Sequence, residues 1–568
     1  MKKNIFRATW ELFKGYWSSE EKWKARGLLF VVIALNFVAV YLLVEINSWY
    51  NEFYNALQNY EENLFWPLVG KFTFLAFLYI VIAVYAIYLR QMLQLKWRTW
   101  MTENYLSNWM KNEVYYRLQV LRNDTDNPDQ RISEDIGQFV NLTLLLLVGF
   151  LKQLTTLAAF SVVLWNLSGV FTLPIGSHEF QIYGYMFWFS LIYSMAGTYL
   201  VHIVGRKLIS LNFDQQRYEA DFRFSMMRVR ENSESIAFYK GEKSELSTFN
   251  ERFSFVITNF WQLMKQTKLL NFYVNGYAQL AVIVPLVLAS PQYFSGAMAL
   301  GGLMQTLTAF GRVQDALSYF IESYDTIAQL VAVVHRLSGF KEHIDEVSNV
   351  EKNIVVKEHD NNDLTIKNLT IKLPDGKVLL NNCNLNFKEG NRVLVMGKSG
   401  AGKSTFLRML AGIWPYGEGE ISCPQNANMM FLPQKPYLPL GSLKKAICYP
   451  LEDADDAKIK ELLDKVELSH LKNSLDKTDD WSRILSLGEQ QRLAFLRAII
   501  TKPEWLFLDE ATSALDEPIE KKTYEFLNRE FPKMGIVSVG HRSTLREVHD
   551  IELRLSGDGN YEESEIKS

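Results

Sequence analysis

Apolar residues are unevenly spread along the chain. Long apolar runs fill roughly the first 340 residues, and the remainder changes to short β-rich runs separated by turns. Six stretches, near 27–46, 68–89, 139–167, 181–204, 270–290 and 298–320, read as membrane-crossing helices, because a helix needs about 20 apolar residues to span the hydrocarbon. The third is interrupted by Lys152 and Gln153, the sixth by Arg312, Gln314 and Asp315. Charges at such depth face a bundle interior or a watery cavity. For Lys152 a structural pairing, a substrate contact and a misplaced helix boundary all stay open.

The polar segments between these runs alternate in charge. Segment 1–26 carries Lys2, Lys3, Arg7, Lys14, Lys22, Lys24 and Arg26, whereas loops 47–67, 168–180 and 291–297 hold no Lys or Arg. Segment 90–138, with Arg90, Lys96, Arg98, Lys111, Arg117, Arg122 and Arg131, and segment 205–269 are rich in both. The alternation fits the positive-inside rule with both termini cytoplasmic, and buried helices of a soluble protein do not predict it. The N-terminus is polar and charged through Arg26, so no cleavable signal peptide is expected. Segments 90–138 and 205–269 exceed what a tight connection needs, which predicts helices that run on into the cytosol and turn there. Trp10, Leu12, Phe13, Tyr16 and Trp17 fit one face of a short helix, either interfacial or packed. The stretch from Asn47 to Gln58 has the aromatic and amide content of a membrane interface or of an outer substrate mouth.

Length adds a domain count: 568 residues suit two domains. The boundaries read as a membrane domain over 1–340, a polar linker over 341–361 and a nucleotide-binding domain over 362–568. In the latter, Leu364 to Leu373 alternates like a strand, and Pro374-Asp375-Gly376 marks a turn before another strand-like run. A net charge of -3 offers no global basic field, so nucleic acid is not an expected partner. Cys383, Cys423 and Cys448 lack C-x-x-C spacing, which suggests neither a disulfide framework nor a zinc site.

The decisive motif lies at Gly397-Lys398-Ser399-Gly400-Ala401-Gly402-Lys403-Ser404-Thr405, a complete G-x-x-x-x-G-K-S/T phosphate loop. It follows a strand-like run and opens a helix-like one, the context that makes the match specific. Backbone amides around Ser399 to Lys403 are expected to wrap phosphates, Lys403 to balance β/γ charge, and the Ser404 hydroxyl to hold Mg²⁺. Downstream, Trp505 to Leu508 is apolar and ends in Asp509 and Glu510. Asp509 suits magnesium, a cation that prefers oxygen ligands, and Glu510 is placed to polarise an attacking water.

Between these elements, Leu485-Ser486-Leu487-Gly488-Glu489-Gln490-Gln491-Arg492 resembles the LSGGQ signature of the ATP-binding cassette (ABC) family. Gln434 (Q-loop), Ser513-Ala514-Leu515-Asp516 (D-loop) and His541 (switch histidine) complete the set in order. The resemblance implies that two cassettes meet head to tail and sandwich ATP between the phosphate loop of one and Ser486 and Gly488 of the other. It implies that Gln434 senses the γ-phosphate, shares Mg²⁺ with Ser404 and Asp509, and faces the membrane domain. It gives His541 the task of stabilising the transition state. Two departures stand out: Leu487 replaces glycine, and Glu489 replaces glutamine and adds negative charge close to ATP. Leu373 stands where an adenine-stacking aromatic is usual, which predicts modest base discrimination.

The membrane half narrows the resemblance. Asn127 to Asp135, Glu219 to Arg223, Arg230 to Ala237 and Trp414-Pro415-Tyr416-Gly417 look like motifs of the SbmA/BacA-like bacterial transporters and the related peroxisomal fatty-acyl (subfamily D) ABC transporters. The signature departures are shared with this branch, and the loop motifs are expected as coupling helices on the cassette. The fold implied is an α-helical six-span membrane domain of exporter type joined to an α/β P-loop NTPase cassette. The function implied is an ATP-driven half-transporter in the bacterial inner membrane, working as a homodimer with a second copy of itself. Its cargo is expected to be a bulky solute such as a peptide or a cobalamin-like vitamin, and its other contacts membrane lipid. A fatty acid or acyl-CoA transporter, and an ATP-gated regulatory protein that moves nothing, are the competing readings.

Overall fold

The computed structural model describes residues 5–121, 127–175, 178–349, 354–425, 427–451 and 454–566. Lys2, Lys3 and Arg122 of the loop-charge pattern, and residues 350–353 of the expected linker, lie outside the described residues. The chain divides into two compact units: Met1–Asn108 with Asp126–Glu342, and Trp109–Thr125 with His343–Ser568.

The first unit is helical. Helix α1 (Ile5–Trp17) precedes the long helices α2 (Lys22–Gln58) and α3 (Glu62–Met110); α4 (Val114–Leu121) follows and belongs to the second unit. Then come α5 (Ile136–Leu167), the antiparallel hairpin β1 (Val170–Ile175) and β2 (His178–Tyr183), and α6 (Tyr185–Glu231). The short α7 (Ser233–Tyr239) separates α6 from α8 (Glu242–Phe294), and α9 (Leu300–Glu322) and α10 (Tyr324–Ser348) follow. Among the described residues, five helical segments, Lys22–Gln58, Glu62–Leu121, Pro128–Leu167, Tyr185–Glu231 and Glu242–Phe294, are long and apolar enough to cross a membrane. The sixth expected span forms as α9 but falls short of that hydropathy. The reason is its central position: Ala309, Phe310 and Val313 are fully buried, packed in a core shared with Phe160, Leu164, Tyr185 and Met186. A helix covered by protein is not required to be apolar all round. As the loop lengths predicted, α6 and α8 run far beyond an apolar span and turn at α7.

α1 resolves into two faces. Leu12 and Tyr16 are buried, with Tyr16 stacked on Trp97 of α3 at 5.8 Å between ring centroids, while Trp10 and Phe6 stay exposed. The stretch from Asn47 to Gln58 is the end of α2, and its amides fasten helices together. Asn47 Nδ2 donates to Gln305 O at 3.1 Å, and Asn51 Nδ2 to Gln305 Oε1 at 2.6 Å. Asn55 Oδ1 accepts from Gly301 N at 2.8 Å, and Gln58 Oε1 from Leu300 N at 2.7 Å. The last two satisfy N-terminal donors of α9 that have no partner inside their own helix. Gly301 is required there, because a Cβ would lie 2.0 Å from Asn51 O.

Among the described residues the second unit holds two larger sheets, besides a short antiparallel pairing of Gly441–Ser442 with Thr478–Asp479. β3 (Ile354–His359), β4 (Leu364–Lys372), β5 (Val378–Phe387) and β7 (Gly417–Pro424) form a four-stranded sheet in the order β3-β7-β4-β5. The expected linker over 341–361 is therefore largely structured: α10 runs to Ser348, and β3 is a sheet edge. The larger sheet contains β6 (Arg392–Gly397), β8 (Met429–Leu432), β9 (Trp505–Asp509), β10 (Gly535–Val539), β11 (Ile551–Leu555) and β12 (Tyr561–Glu565), in the order β12-β11-β6-β10-β9-β8. Pairing from β8 through β9, β10 and β6 to β11 is parallel, so these strands end along one edge. Their interior is the continuous apolar run that a sheet covered on both faces needs, with Val393, Leu394, Phe507, Ile536 and Val537 fully buried.

Candidate nucleotide site

The phosphate loop turns from β6 into α11 (Lys403–Leu410). Gly400 and Gly402 adopt φ of 81° and 92°, and Gly397 has φ 154°. A Cβ at Gly397 would lie 2.4 Å from Leu555 O, so only glycine fits this approach of loop and strand. Lys398, Ser399 and Gly400 form the exposed rim, while Ala401, Lys403 and Thr405 are buried beneath it. Lys403 Nζ donates to Gly397 O at 2.9 Å and Lys398 O at 3.1 Å, which holds the ammonium inside its own loop. Burial lowers its pKa, opposed by Glu510 and Asp509. Ser404 Oγ donates to Asp509 Oδ1 at 2.8 Å, which joins the loop to the end of β9. Burial pushes the Asp509 carboxyl above its ordinary value, against the Ser404 bond and the charges of Arg408 and Lys403. Two adjacent oxygen donors at a phosphate loop fit a magnesium ion, which keeps waters and substrate phosphates as its other ligands.

The strand ends bring the remaining predicted residues together. In register, Asp509 pairs with Val539 and Leu508 with Leu432, so Glu510, His541 and Gln434 all emerge just beyond one sheet edge. Ligands in open parallel sheets bind at this carboxyl edge. Glu510 has φ 49°, held by its N–H bond to Val539 O at 3.1 Å. Such backbone strain in a residue with a side chain concentrates at functional sites. Gln434 Nε2 donates to Glu510 Oε2 at 3.0 Å, and His541 Nε2 lies 3.4 Å from Glu510 Oε1.

The signature opens α12 (Leu487–Thr501), with Ser486 as its N-cap. Ser486 N and Oγ donate to Glu489 Oε2 at 2.9 and 2.8 Å, and Glu489 N returns a bond to Ser486 Oγ, a complete capping box. The other carboxylate oxygen lies 3.1 Å from His470 Nε2. The carboxylate noted in the sequence is therefore engaged by Ser486 on one oxygen and lies beside His470 on the other. Burial works to raise the Glu489 pKa, and the Ser486 bonds, His470 and Arg492 outweigh it and hold it below the ordinary value. Gly488 abuts the D-loop, where a Cβ would lie 3.0 Å from Ala514 O. Leu487 stays partly exposed, and Leu373 packs at the edge of the cassette core. Among the described residues, neither Ser486 nor Gly488 hydrogen-bonds to the chain's own phosphate loop.

Two residues given no role by sequence reasoning tie the site together. Gln491 is fully buried; its Nε2 donates to Gln434 O at 2.8 Å and Ser513 Oγ at 3.3 Å, and its Oε1 accepts from Ala514 N at 3.0 Å. Arg542 donates to Leu515 O at 2.7 Å and Ser513 O at 3.1 Å. The signature helix, Q-loop, D-loop and switch histidine thus share one hydrogen-bonded frame. The signal was adjacency: both residues directly neighbour motif positions.

Asn127 to Asp135 lies in the first unit, where the buried Asp135 binds Arg131 and accepts from Arg336 at 2.7 and 2.9 Å. The segment that joins the cassette is α4: Val120 packs against the cassette core with Leu373 and Tyr416, and Tyr116 lies in the field of Arg408.

A nucleotide-hydrolysing cassette joined to a helical membrane unit defines the class. Residues 12–294 match the ABC transporter transmembrane region 2 family and residues 380–513 the ABC transporter family. The chain is 34% identical over 543 residues to the inner membrane ABC transporter ATP-binding protein YddA of Escherichia coli, covering 95% of each. It is 27% identical to the human lysosomal cobalamin transporter ABCD4, covering 97% of this chain and 94% of that one. A bacterial Atm1-family ABC exporter solved with ATP bound superposes with a TM-score of 0.74 at 17% identity, covering 97% of this chain and 96% of that one, and so shares its fold. The chain belongs to the ABC transporter family, as a half-transporter with one membrane unit and one cassette, related to subfamily D proteins such as ABCD4. It binds ATP and is an ATPase whose hydrolysis is coupled to transport.

Proposed function

We propose that two copies of this chain form an ATP-driven transporter that moves a bulky solute, such as a peptide or a cobalamin-like vitamin, across the bacterial inner membrane. Both termini lie in the cytoplasm. The observation that carries the hydrolytic part is the convergence of Gln434, Glu510 and His541 beside Ser404 and Asp509. Ser404 and Asp509, with Gln434 on the same edge, would hold Mg²⁺ beside the loop from Gly397 to Thr405, where the ion would supply positive charge to offset that of the phosphates. Glu510 orients and polarises the attacking water, and His541 stabilises the charge that develops. Ser486 and Gly488 lie at the start of α12, where neither hydrogen-bonds to its own phosphate loop among the described residues, which supports their facing ATP on a second chain. The names of YddA and ABCD4 support the inner-membrane location and the vitamin class, and the loop motifs support the SbmA/BacA-like branch.

The test is flux. Full-length protein in vesicles is expected to take up a tracer cargo with ATP, and Glu510→Gln to abolish uptake while retaining ATP binding. A panel of peptides, cobalamin and acyl-CoA, read by ATPase stimulation, separates the cargo classes: stimulation by acyl-CoA alone overturns the peptide or vitamin reading. ATPase activity without flux of any cargo favours a regulatory protein.

A further inference from the structure

A second group of charged side chains lies at the edge of the larger cassette sheet opposite the phosphate loop. Arg392 is the first residue of β6, the strand that ends at Gly397, and Asp550 immediately precedes β11. β12 runs antiparallel to β11 and brings Glu565 opposite Ile551. Between these segments and Asn528 is a cavity of about 960 Å³, within the range that holds small ligands. Arg392 is buried and lines it. Its Nε donates to Asn528 Oδ1 and its Nη1 to Gly390 O, which fixes the guanidinium plane. Among the described residues its Nη2 forms no hydrogen bond, and the atom is not sealed off by protein. A donor is therefore left open to the cavity.

The charges around the cavity fall into two sets. Some are paired off: Glu547 with Lys521 at 2.7 Å, and Glu552 with Arg546 at 2.9 Å and Arg554 at 2.8 Å. The others are not. Among the described residues Arg392 has no ion pair, and the side chains of Asp550 and Glu565 have neither an ion pair nor a hydrogen bond. Buried charges are ordinarily paired, whereas Arg392 is bonded only to neutral groups. Burial lowers its pKa and the charge of Asp550 opposes this, so that carboxylate acts on the guanidinium without touching it. Main-chain bonds hold Asp550 in place, from its N–H to Arg392 O at 2.9 Å and from Ile566 N–H to its carbonyl at 2.8 Å. A simple anion at Arg392 would face two uncompensated carboxylates, and a simple cation would face the guanidinium. A molecule that carries both charges satisfies both. We propose that this cavity binds a small zwitterion, a free α-amino acid or short peptide, with its carboxylate on Arg392 and its ammonium on Asp550 and Glu565. Both contacts are charge-assisted, and guanidinium and carboxylate match in shape. The site does not rest on the transport reading, because none of its residues belongs to the ATP site or to the membrane unit.

The test is calorimetric titration of the full-length protein in nanodiscs without nucleotide. The probes are L-alanine, dialanine and trialanine, which differ in the distance between their charged ends, and the N-acetylated and C-amidated form of each. At least one free probe is expected to bind, and blocking either of its ends to weaken binding by about tenfold or more. Arg392→Gln removes the advantage of a free carboxylate, so that free and amidated forms bind alike. Asp550→Asn with Glu565→Gln removes the advantage of a free ammonium. Both of those side chains are exposed, so this variant tests the site even if Arg392→Gln does not fold. Glu562→Gln, on the same strand as Glu565 but outside the cavity, leaves binding unchanged. Failure of every free probe to bind overturns the proposal, as does equal binding of free and blocked forms to the wild type. Undiminished preferences in the variants place the binding elsewhere, as in a cargo cavity of the membrane unit, and overturn it too. Preferences lost as expected in a protein that shows no ATP-driven uptake leave this site standing and overturn only the transport reading.

Discussion

The cassette and the membrane unit use clustered polar side chains for opposite purposes. In the cassette they gather beyond the carboxyl ends of parallel strands, where Ser404, Asp509, Glu510, Gln434 and His541 face one another. In the membrane unit they act as fasteners between helices: Asn51 to Gln305, Asn55 to Gly301, and Asp135 to Arg336. The difference teaches where to look for function. Polar groups that satisfy one another hold a fold, and groups held close but left able to bind something else form sites.

The comparison breaks most easily at Glu510. If the strand-end cluster is chemical rather than structural, Glu510→Gln reduces ATP turnover by about 100-fold or more, with ATP binding and melting temperature nearly unchanged. Phosphate release and nucleotide binding measured on one preparation decide this. Loss of stability alongside activity would make the cluster a fastener like those of the membrane unit.

The converse holds for Asp135. It is the anionic partner of both Arg131 and Arg336, and its side chain is 2% exposed. Removing one member of a buried ion network costs about 3 kcal/mol. Asp135→Ala is therefore expected to lower the melting temperature of the purified protein by several degrees, read by tryptophan fluorescence. An unchanged melt would show that the network fastens nothing.

These two sites also show what the sequence reveals and what it hides. The cassette was legible almost completely, because phosphate chemistry confines its residues to short contiguous motifs at strand ends. Every predicted member of the Gln434–Glu510–His541 group falls on that edge. The spans were legible from hydropathy, with α9 among the least clean because its burial by neighbouring helices relaxes the demand for apolar residues. The fasteners were hidden because each takes one residue from each of two distant segments. Asn55 reads as an interfacial amide until Gly301 is beside it, and Asp135 as part of a coupling motif until Arg336 is. The β1–β2 hairpin lay in a segment with no alternation strong enough to separate it from a loop.

A fastener inside the cassette gives the next test. His549 is buried, with Nδ1 donating to Leu545 O at 2.7 Å and Nε2 accepting from Ser538 Oγ at 2.8 Å. Burial pushes its pKa down to about 4 from an ordinary 6.5. The folded state thus favours the neutral ring, so the stability it contributes is present above the ordinary value and is lost as pH falls toward the folded one. Between pH 7 and pH 5 the loss is about 2 kcal/mol. Melting curves should show this slope in the wild type and a shallower one in His549→Gln. Equal slopes would remove His549 from the fasteners.

Glu489 stands on the line between the two roles, and its effect is the smallest. Its carboxylate caps α12 through Ser486 and meets His470, so it fastens a residue that is itself meant for chemistry. Glutamine at this position can still complete a capping box. Glu489→Gln is therefore expected to keep the cap, lose only the His470 pairing, and change the ATP turnover rate by no more than about threefold, consistent with the small worth of an exposed ion pair. Ser486→Ala loses the cap, at about 1 kcal/mol, together with the group offered to ATP, and is expected to lower turnover further. A Glu489→Gln turnover rate as low as that of Ser486→Ala would show that the negative charge itself, and not the geometry it enforces, is what the signature requires.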